Sequence, residues 1–215
     1  MLLLAASLWI TSMADDFRHG LKDWRIEAEV PAKVSARRGI LDVDTPKGIS
    51  LWFRRPLTGP VSIGFDVEAV AAGGPNDAVS DVNAFWMAHE MRRPGTAPLM
   101  PRSGAFADYD TLQTYYVGIG GNRNTTTRFR RYVGRVGDRP LLKGNDLRDR
   151  QVMLRPNVWT HIELVADGRH IAVSRDGRTL FSYDDPHPYR AGWFALRTTK
   201  SHLRYRNFKI RPLAH

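Results

Sequence analysis

The sequence predicts an all-β protein built as a two-sheet antiparallel sandwich, and three observations support this fold class. Apolar and polar residues alternate with a period of two over short runs, which is the pattern of strands that bury one face. Glycine, proline, aspartate and asparagine interrupt these runs at short intervals, as turns between strands require. Helical periodicity is nearly absent. Short alternating strands separated by regular turns are typical of sandwiches and barrels.

The individual strands and loops can be placed in order along the chain. Residues 61–67 alternate most clearly and predict a strand. In the last third, Asp167-Gly168 and Asp176-Gly177 each separate two alternating runs, and Asp-Gly is a strong signal for a tight hairpin. Two stretches, 71–81 and 91–110, are rich in turn-forming residues and predict long loops. Long loops in compact domains often form binding sites.

The chain of 215 residues is predicted to form a single domain over residues 15–215, since a sandwich of this size is commonly one unit. Residues 1–14 are predicted to be a signal peptide, because an apolar run is followed by Ser12-Met13-Ala14, a small-x-small cleavage pattern. No Lys or Arg precedes the apolar run, so either a longer leader begins upstream or the run is not a signal. We expect a periplasmic or secreted protein.

The charge balance is basic, with 32 Lys and Arg residues against 22 Asp and Glu residues and a formal net charge of +10. Such a surface favours anionic partners, although the excess also serves solubility alone. Nucleic acid and membrane are not predicted as partners, because no recognised nucleic-acid module is present and the N-terminal apolar run is too short to span a bilayer. The absence of cysteine excludes disulfides and a thiol nucleophile, and Walker, dinucleotide-binding and serine-hydrolase motifs are also missing.

Two sets of segments carry a family resemblance. The first set resembles the closing strands of concanavalin A-like lectin/glucanase domains: Trp159–Val165, Gly168–Val173, Asp176–Phe181, Gly192–Leu196 and Tyr205–Ile210. This resemblance implies a jelly-roll sandwich in which the concave face of one sheet holds a glycan. The second set is similar to an uncharacterised bacterial group related to the YesU-like proteins of pectin and rhamnogalacturonan degradation: Gly73–Asp77, Ser80–Ala88, Phe106–Thr111, Tyr115–Asn122 and Asn124–Tyr132. This resemblance implies a carbohydrate partner and leaves the activity open.

The segment 124–132 carries the main candidate site. In a strand, Arg128, Arg130 and Tyr132 point to the same face. With Tyr115, Tyr116 and Asn122 they are predicted to form a platform for an anionic sugar, on which aromatic rings stack and arginine pairs with the carboxylate. The alternative is that the two arginines coat a solvent-exposed face.

A polysaccharide lyase that cleaves an acidic, uronic-acid-containing polysaccharide by β-elimination suits these residue types best. The reaction needs a group that stabilises the carboxylate, together with an acid and a base. The catalytic candidates are Tyr116, Tyr115, His202 and Arg128. The substrate-binding candidates are Asn83, Trp86, His89, Asn122, Asn124, Arg130 and Arg197. Since Asn83 and Trp86 point to opposite faces of one strand, only one of them can line a groove.

Two other functions stay open. A non-catalytic lectin-like module needs the aromatic and arginine side chains but no acid or base. A glycoside hydrolase needs two carboxylates, roughly 5–5.5 Å apart in retaining enzymes; Asp66 and Glu68 share a strand face, but the Glu-x-Asp-x-x-Glu pattern of jelly-roll glucanases is missing. No cofactor or catalytic metal is predicted. The oxygen-rich residues Asn76, Asp77 and Asp81 could hold a structural Ca²⁺, although a turn is the favoured interpretation.

Overall fold

The computed structural model describes residues 12–214, which form two eight-stranded antiparallel sheets packed face to face. The predicted all-β sandwich is thereby confirmed. Most of the predicted signal peptide lies outside the described residues. Its last two residues, Met13 and Ala14, belong to a short strand that pairs with the C-terminal strand. No helix within residues 12–214 is long and apolar enough to cross a membrane.

The back sheet has the strand order β14-β13-β12-β7-β16-β4-β3, with β1 also paired to β16. Its strands are β1 (Met13–Asp15), β3 (Lys33–Arg37), β4 (Ile40–Thr45), β7 (Val61–Ala69), β12 (Thr160–Asp167), β13 (His170–Arg175), β14 (Arg178–Asp184) and β16 (Ser201–Pro212). The predicted hairpin at Asp176-Gly177 joins β13 to β14, and both residues have the positive φ that a tight hairpin turn requires.

The front sheet has the strand order β11-β10-β9-β8-β15-β5-β2, with β6 also paired to β15. Its strands are β2 (Trp24–Ala28), β5 (Ile49–Phe53), β6 (Leu57–Thr58), β8 (Val82–Glu90), β9 (Leu112–Gly120), β10 (Thr126–Val133), β11 (Asp146–Leu147) and β15 (Ala191–Thr198). A helical turn at Gly121–Asn124 connects β9 to β10, and two short 3₁₀ helices span Phe106–Thr111 and Arg150–Val152.

The inner faces of the two sheets form the main hydrophobic core. The back sheet contributes the alternating residues of β7, including Ile63 and Phe65, which are at most 1% exposed. The front sheet contributes Ala84 and Trp86 of β8 and Tyr115 of β9. The strict alternation of β7 is explained by this arrangement, because its other face is directed towards solvent.

The outer face of the front sheet is also covered, and this second layer positions the candidate site. Residues 94–111, here called the strap, cross it and bury Leu99 and Tyr109 against the sheet. Trp52 and Phe85 stack there with ring centroids 5.9 Å apart and planes inclined by 7°. The predicted loop 91–110 therefore packs as part of an aromatic layer. The strap covers the middle of the sheet and leaves a cleft over β8, β9 and β10.

Candidate functional site

The cleft has a volume of about 330 Å³ and lies on the outer face of the front sheet beside the strap. Most of its lining residues have polar side chains, and the lining consists of Asp81, Asn83, Phe106, Tyr116, Gly118, Gly121, Asn122, Thr126, Arg128, Arg130 and Thr199. This volume is at the lower end of the range for small-molecule sites.

Strand register arranges the outward-facing side chains of the front sheet in two rows across the strands. The first row runs Arg128, Gly118, Asn83, Arg197, Ser50 and Glu27. The second row runs Arg130, Tyr116, Phe85, Ala195, Trp52 and Arg25. The cleft exposes the β10 end of both rows, and the strap covers the other end.

The two arginines of β10 differ in their partners. Arg128 forms a bidentate ion pair with Asp146 of β11, with Nε and Nη2 at 3.0 and 3.1 Å from the carboxylate oxygens. Arg130 donates to the carbonyl of Arg139, and no carboxylate within residues 12–214 forms a salt bridge with it. Both guanidinium groups are half-buried. Arg130 therefore places a positive charge with unused donors in the cleft floor.

The cleft floor also holds two uncharged polar groups beside Gly118. A Cβ added at Gly118 would lie 2.6 Å from Tyr116 Oη and 2.9 Å from Asn83 Oδ1, so only glycine allows both atoms to stay there. Asn83 Oδ1 is buried without a hydrogen-bond partner among the described residues. A buried acceptor without a donor is costly, and a ligand hydroxyl would satisfy it.

Burial raises the pKa of Tyr116 well above its usual range, and the nearby Tyr132 and Asp81 raise it further, while Arg197 and Arg130 oppose the rise. Its hydroxyl is therefore protonated at neutral pH. A neutral phenol donates a hydrogen bond to a ligand, but it does not serve as a base. The arrangement thus suits recognition better than proton abstraction.

Asp81 is the carboxylate among the cleft-lining residues, and its oxygens are already bonded. Thr199 Oγ1 donates to its Oδ2 at 2.9 Å, Ser80 Oγ also donates to Oδ2, and Asn83 Nδ2 lies 3.4 Å from Oδ1. One carboxylate does not provide the acid and base pair of a glycoside hydrolase.

Phe106 of the strap forms one wall of the cleft, and a buried arginine lies behind it. The guanidinium carbon of Arg197 is 5.0 Å from the Phe106 ring centroid. Arg197 is 1% exposed. Its Nη1 donates to Ser50 Oγ and to the carbonyl of Gly104. Its Nε and Nη2 have no hydrogen-bond partner among the described residues. Burial lowers the pKa of Arg197, although an arginine remains charged at neutral pH.

The structure brings six of the predicted site residues to one region. Asn83, Tyr116, Asn122, Arg128 and Arg130 line the cleft, and Arg197 lies directly behind its wall. Arg128 and Arg130 share one face as expected. Sequence reasoning did not place Phe106, Gly118 and Thr199 in the site. Phe106 comes from the strap, whose path over the sheet no local pattern indicates.

Tyr115 and Trp86 lie on the inner face of the front sheet, which corrects the expected platform of adjacent tyrosines. Consecutive residues of a strand point to opposite faces, so Tyr115 enters the core when Tyr116 faces the cleft. The Tyr115 hydroxyl donates to Asp185 at 2.7 Å. Likewise, Asn83 faces the groove and Trp86 packs between the sheets, against Phe129.

Three other predicted residues lie away from the cleft. Asn124 exchanges two 2.9 Å hydrogen bonds with the backbone of Leu154. His89 is at the far end of β8, where its ring contacts Tyr189 edge to face at 5.0 Å. His202 is on the back sheet, between Asp42 and Asp77, with its ring nitrogens 3.1 and 3.2 Å from their oxygens.

The residues considered for a glycoside hydrolase lie outside the cleft, and Asp77, considered for a calcium site, forms a turn. Asp66 and Glu68 lie on the back sheet with Arg206 and Arg204 as partners, so this pair is not in the cleft. Asp77 accepts from the backbone nitrogens of residues 72 and 74, which is a turn-forming role. Within residues 12–214, no cluster of three or more His, Cys, Asp or Glu residues is arranged to hold a metal ion.

Three solved structures with a similar architecture are distant from this chain in sequence. A protein of unknown function with a galectin-like fold from Bacillus subtilis has a TM-score of 0.67 at 15% identity, covering 89% of this chain and 90% of its own. The carbohydrate binding module CBM66 from the same organism has a TM-score of 0.57 at 10% identity, covering 87% and 94%. The VIP36 exoplasmic/lumenal domain, bound to Ca²⁺ and Man3GlcNAc, has a TM-score of 0.58 at 11% identity, covering 95% and 89%. These likenesses confirm the lectin-like sandwich fold.

A family model described as a domain of unknown function, DUF6250, matches residues 43–208 of the chain. The matched region includes all the residues that line the cleft. No curated protein sequence matches the chain.

Proposed function

The chain belongs to the DUF6250 family, a domain of unknown function, and on this premise we propose that it binds a carboxylate-bearing carbohydrate in the cleft of its front sheet. The proposed partner is an acidic, uronic-acid-containing polysaccharide or oligosaccharide. The proposed role is that of a lectin-like binding domain. We propose further that it acts in the periplasm or outside the cell, where such polymers occur.

The guanidinium of Arg130, which no carboxylate within residues 12–214 neutralises, is the observation that carries this proposal. A half-buried arginine with free donors attracts a carboxylate, which it binds through charge-assisted hydrogen bonds. Arg128 next to it is already neutralised by Asp146, so Arg130 supplies the free charge of the floor. A neutral sugar would leave this charge without a partner.

The remaining lining suits the hydroxyl groups and the apolar face of a sugar ring. Tyr116 and Asn83 offer a donor and an unsatisfied acceptor, and Thr126 and Asn122 add further polar groups to the lining. The half-buried ring of Phe106 provides an apolar surface for stacking. A few convergent polar groups beside an aromatic surface are typical of small-molecule sites.

The names of the structural neighbours agree with the carbohydrate part of this proposal, and the acidic part rests on Arg130. One neighbour is a carbohydrate binding module and another is a domain bound to Man3GlcNAc. Their sequence identity to this chain is low, so they support the proposal through the fold alone. The similarity of the middle segments to the YesU-like group favours pectin-type polymers among acidic polysaccharides.

A lyase that acts by β-elimination is the second candidate function. The register pair of Arg130 and Tyr116 favours it, because it places a carboxylate-binding cation next to a protonated hydroxyl that can act as an acid. The reaction also needs a base. Tyr116 does not serve as that base, because its raised pKa keeps the hydroxyl protonated. Binding needs a cation, hydrogen-bonding groups and an aromatic surface, all of which are among the lining residues, whereas elimination also needs a base.

The test is retention of the purified protein on polygalacturonate, rhamnogalacturonan and alginate, with amylose as the neutral polymer. We expect retention on at least one acidic polymer and none on amylose. Arg130→Ala should weaken that binding about 10- to 100-fold, since a charged hydrogen bond contributes about 1.5–3 kcal/mol. Arg178→Ala, which removes an exposed arginine from the back sheet, changes the net charge equally and should leave binding unchanged.

The same samples distinguish binding from elimination. A lyase would produce an unsaturated uronate with strong ultraviolet absorbance, whereas a binding domain leaves the absorbance unchanged. If neither retention nor product appears on any acidic polymer, the proposal is wrong. Equal loss in the two arginine variants would also contradict it, because the net charge and not the cleft would then explain retention.

A further inference from the structure

The cleft is closed towards the centre of the front sheet by the strap. Phe106 lies 5.5 Å from Tyr116 between ring centroids and stands between the cleft and Arg197. The strap is fastened to the sheet at this point, since Gly104 accepts from Arg197 at 2.8 Å. A ligand that runs across the strands from β10 towards β15 therefore ends against this ring.

Arg139 bounds one end of the cleft along the strand direction: it does not line the cleft itself, but it contacts Phe106 and Arg130, which do. Its guanidinium carbon lies 4.4 Å from the Phe106 ring centroid, and its carbonyl accepts from Arg130. Its side chain is also paired with Asp110 of the strap. Arg139 thus joins the strap to the cleft floor at this end.

The other end along the strands is closed by the connection between β9 and β10. Gly121, Asn122 and Thr126 line the cleft there, together with Asp81 and Thr199. These residues are tied to one another, since Asn122 Nδ2 donates to Thr126 Oγ1 at 3.2 Å and Thr199 Oγ1 donates to Asp81 at 2.9 Å.

The side towards β11 is the open one. Among the described residues, none beyond β10 lines the cleft on this side. The exposed Arg148 and the half-buried Arg128 share the single carboxylate of Asp146 here, which leaves a net positive charge at the entrance. An acidic chain is attracted to this entrance.

We propose that the cleft receives the end of an acidic sugar chain, which enters over β11 and places its terminal residue against Phe106. An internal stretch of a polymer that lies along the sheet needs an entrance and an exit, and the boundaries formed by residues 12–214 on three sides leave only the side towards β11 open along the sheet surface. The volume of about 330 Å³ limits the enclosed part to the last one or two sugar residues. This inference rests on the proposed function, since it concerns which part of the carbohydrate the same cleft binds.

The test compares chain lengths at equal uronate concentration. Dimers and 20-mers are prepared from the polymer that the protein retains, and their binding is measured by calorimetry. Recognition of chain ends predicts one protein bound per chain and an affinity per uronate about tenfold lower for the 20-mer, because it has tenfold fewer ends. Several proteins per 20-mer, or an affinity per uronate that does not fall with length, would overturn the inference while leaving the proposed function intact.

A substitution of the wall tests the same inference from the side of the protein. Phe106→Ala removes the ring between the cleft and Arg197, so a longer chain can reach the free Nε and Nη2 of that arginine. We expect this variant to bind tetramers at least about fivefold more tightly than dimers, whereas the wild type binds both equally per chain. Phe106→Tyr keeps a ring at this position, so whatever its absolute affinity it should bind dimers and tetramers equally per chain. If Phe106→Ala has an unchanged melting profile and still binds dimers and tetramers equally, then Phe106 does not limit the length of the bound chain.

Discussion

Gly118 determines how much space the cleft has above its floor. Its position in β9 places the missing side chain between Tyr116 Oη and Asn83 Oδ1. Because its φ lies outside the positive range, alanine is compatible with the backbone there, and any effect of alanine comes from the space that its Cβ occupies. The conformational freedom of glycine is thus not what this position requires.

Gly118→Ala is therefore expected to reduce carbohydrate affinity by more than about tenfold while costing about 1–2 kcal/mol of stability, as small-to-large changes in packed sites do. Gly64→Ala on the back sheet is the matched control, since the nearest atom to its Cβ would be 3.4 Å away, in His161. Calorimetric binding and thermal unfolding measure the two effects. Affinity that survives in Gly118→Ala would show that Tyr116 and Asn83 do not contact the ligand.

Alternation along a strand could predict that Arg128 and Arg130 share a face, but it could not show which face of β8 lines the groove. The reason is that both faces of β8 are buried in residues 82–88. Trp86 packs between the sheets, and Phe85 packs under the strap. When both faces are apolar, hydrophobicity no longer distinguishes inside from outside. For Tyr115 and Tyr116 alternation shows that only one of them can face the cleft, but not which one.

Among the elements, the strap depends on Glu27 of β2 for its position. This carboxylate is 5% exposed and accepts hydrogen bonds from Trp52 Nε1 at 2.8 Å, Tyr109 Oη at 2.9 Å and the backbone nitrogen of Arg102 at 3.0 Å. Arg25 Nη2 lies 3.1 Å from it as an ion-pair partner. Two of these donors belong to the strap, so Glu27 holds the strap to the sheet.

Glu27→Gln should therefore loosen the strap, because an amide group replaces one acceptor oxygen with a donor and leaves buried partners unsatisfied. We expect a loss of about 1–3 kcal/mol and faster hydrogen exchange of the strap backbone, above all at Arg102. Glu29→Gln makes the same chemical change at an exposed position whose hydrogen bond within residues 12–214 comes from the backbone of Gly48. Equal exchange in the two variants would mean that Glu27 is not what holds the strap to the sheet.

The extent of the strap was predictable from its prolines and glycines, whereas its path was not. Its contacts with the sheet join residues far apart in the chain, such as Tyr109 and Glu27. The path of the strap requires a glycine at position 104. Gly104 has a φ of +95°, and a Cβ there would come within 2.7 Å of the backbone nitrogen of Glu29. The sequence shows this glycine but not the strand that approaches it.

At the scale of the whole molecule, Asp185 connects the two sheets. It follows β14 of the back sheet and is 1% exposed, while its partners Tyr115 and Arg131 lie on β9 and β10 of the front sheet. Burial by itself would raise the pKa of Asp185, but hydrogen bonds from Arg131, Tyr115 and the backbone of His187 outweigh it and lower the pKa below the usual 3.8. The carboxylate is therefore ionised in the folded protein at neutral pH.

A carboxyl whose pKa is lower in the folded state stabilises the fold above its unfolded pKa, and this contribution is lost as the pH falls through the folded value. We therefore expect the wild type to lose stability below about pH 4. Asp185→Asn should lose about 3 kcal/mol at neutral pH, since Arg131 keeps a partly buried charge without its partner. For a domain of this size that corresponds to a melting temperature lower by roughly 6–12 °C.

Asp184→Asn provides the control for this prediction at the preceding residue. Asp184 pairs with Arg169 on the surface, where its side chain is 70% exposed, and such pairs contribute little because solvent screens them. Thermal unfolding between pH 3 and 8 measures both variants. A similar melting temperature for Asp185→Asn and Asp184→Asn would show that Asp185 does not connect the sheets energetically.

The sandwich itself was predictable because its signals are local. Alternation in residues 61–67 and the turn at Asp176-Gly177 each depend on neighbours in sequence. The pairing of the sheets was not predictable in the same way, since β7 is hydrogen-bonded to β12 and β16, which follow it by about a hundred residues or more. The fold class thus followed from the sequence, whereas the register that assembles the cleft required the structure.

The strap also has a consequence for how this architecture can change over time. Its apolar contacts form a layer separate from the core between the sheets, with Trp52, Phe85 and Tyr109 on one side of the front sheet and Trp86 on the other. A strap of another length could therefore be exchanged without repacking the main core. A shorter strap would uncover the buried ends of both side-chain rows and extend the groove towards β2. Relatives with the same sandwich can in this way acquire different ligand lengths through insertions and deletions in one segment.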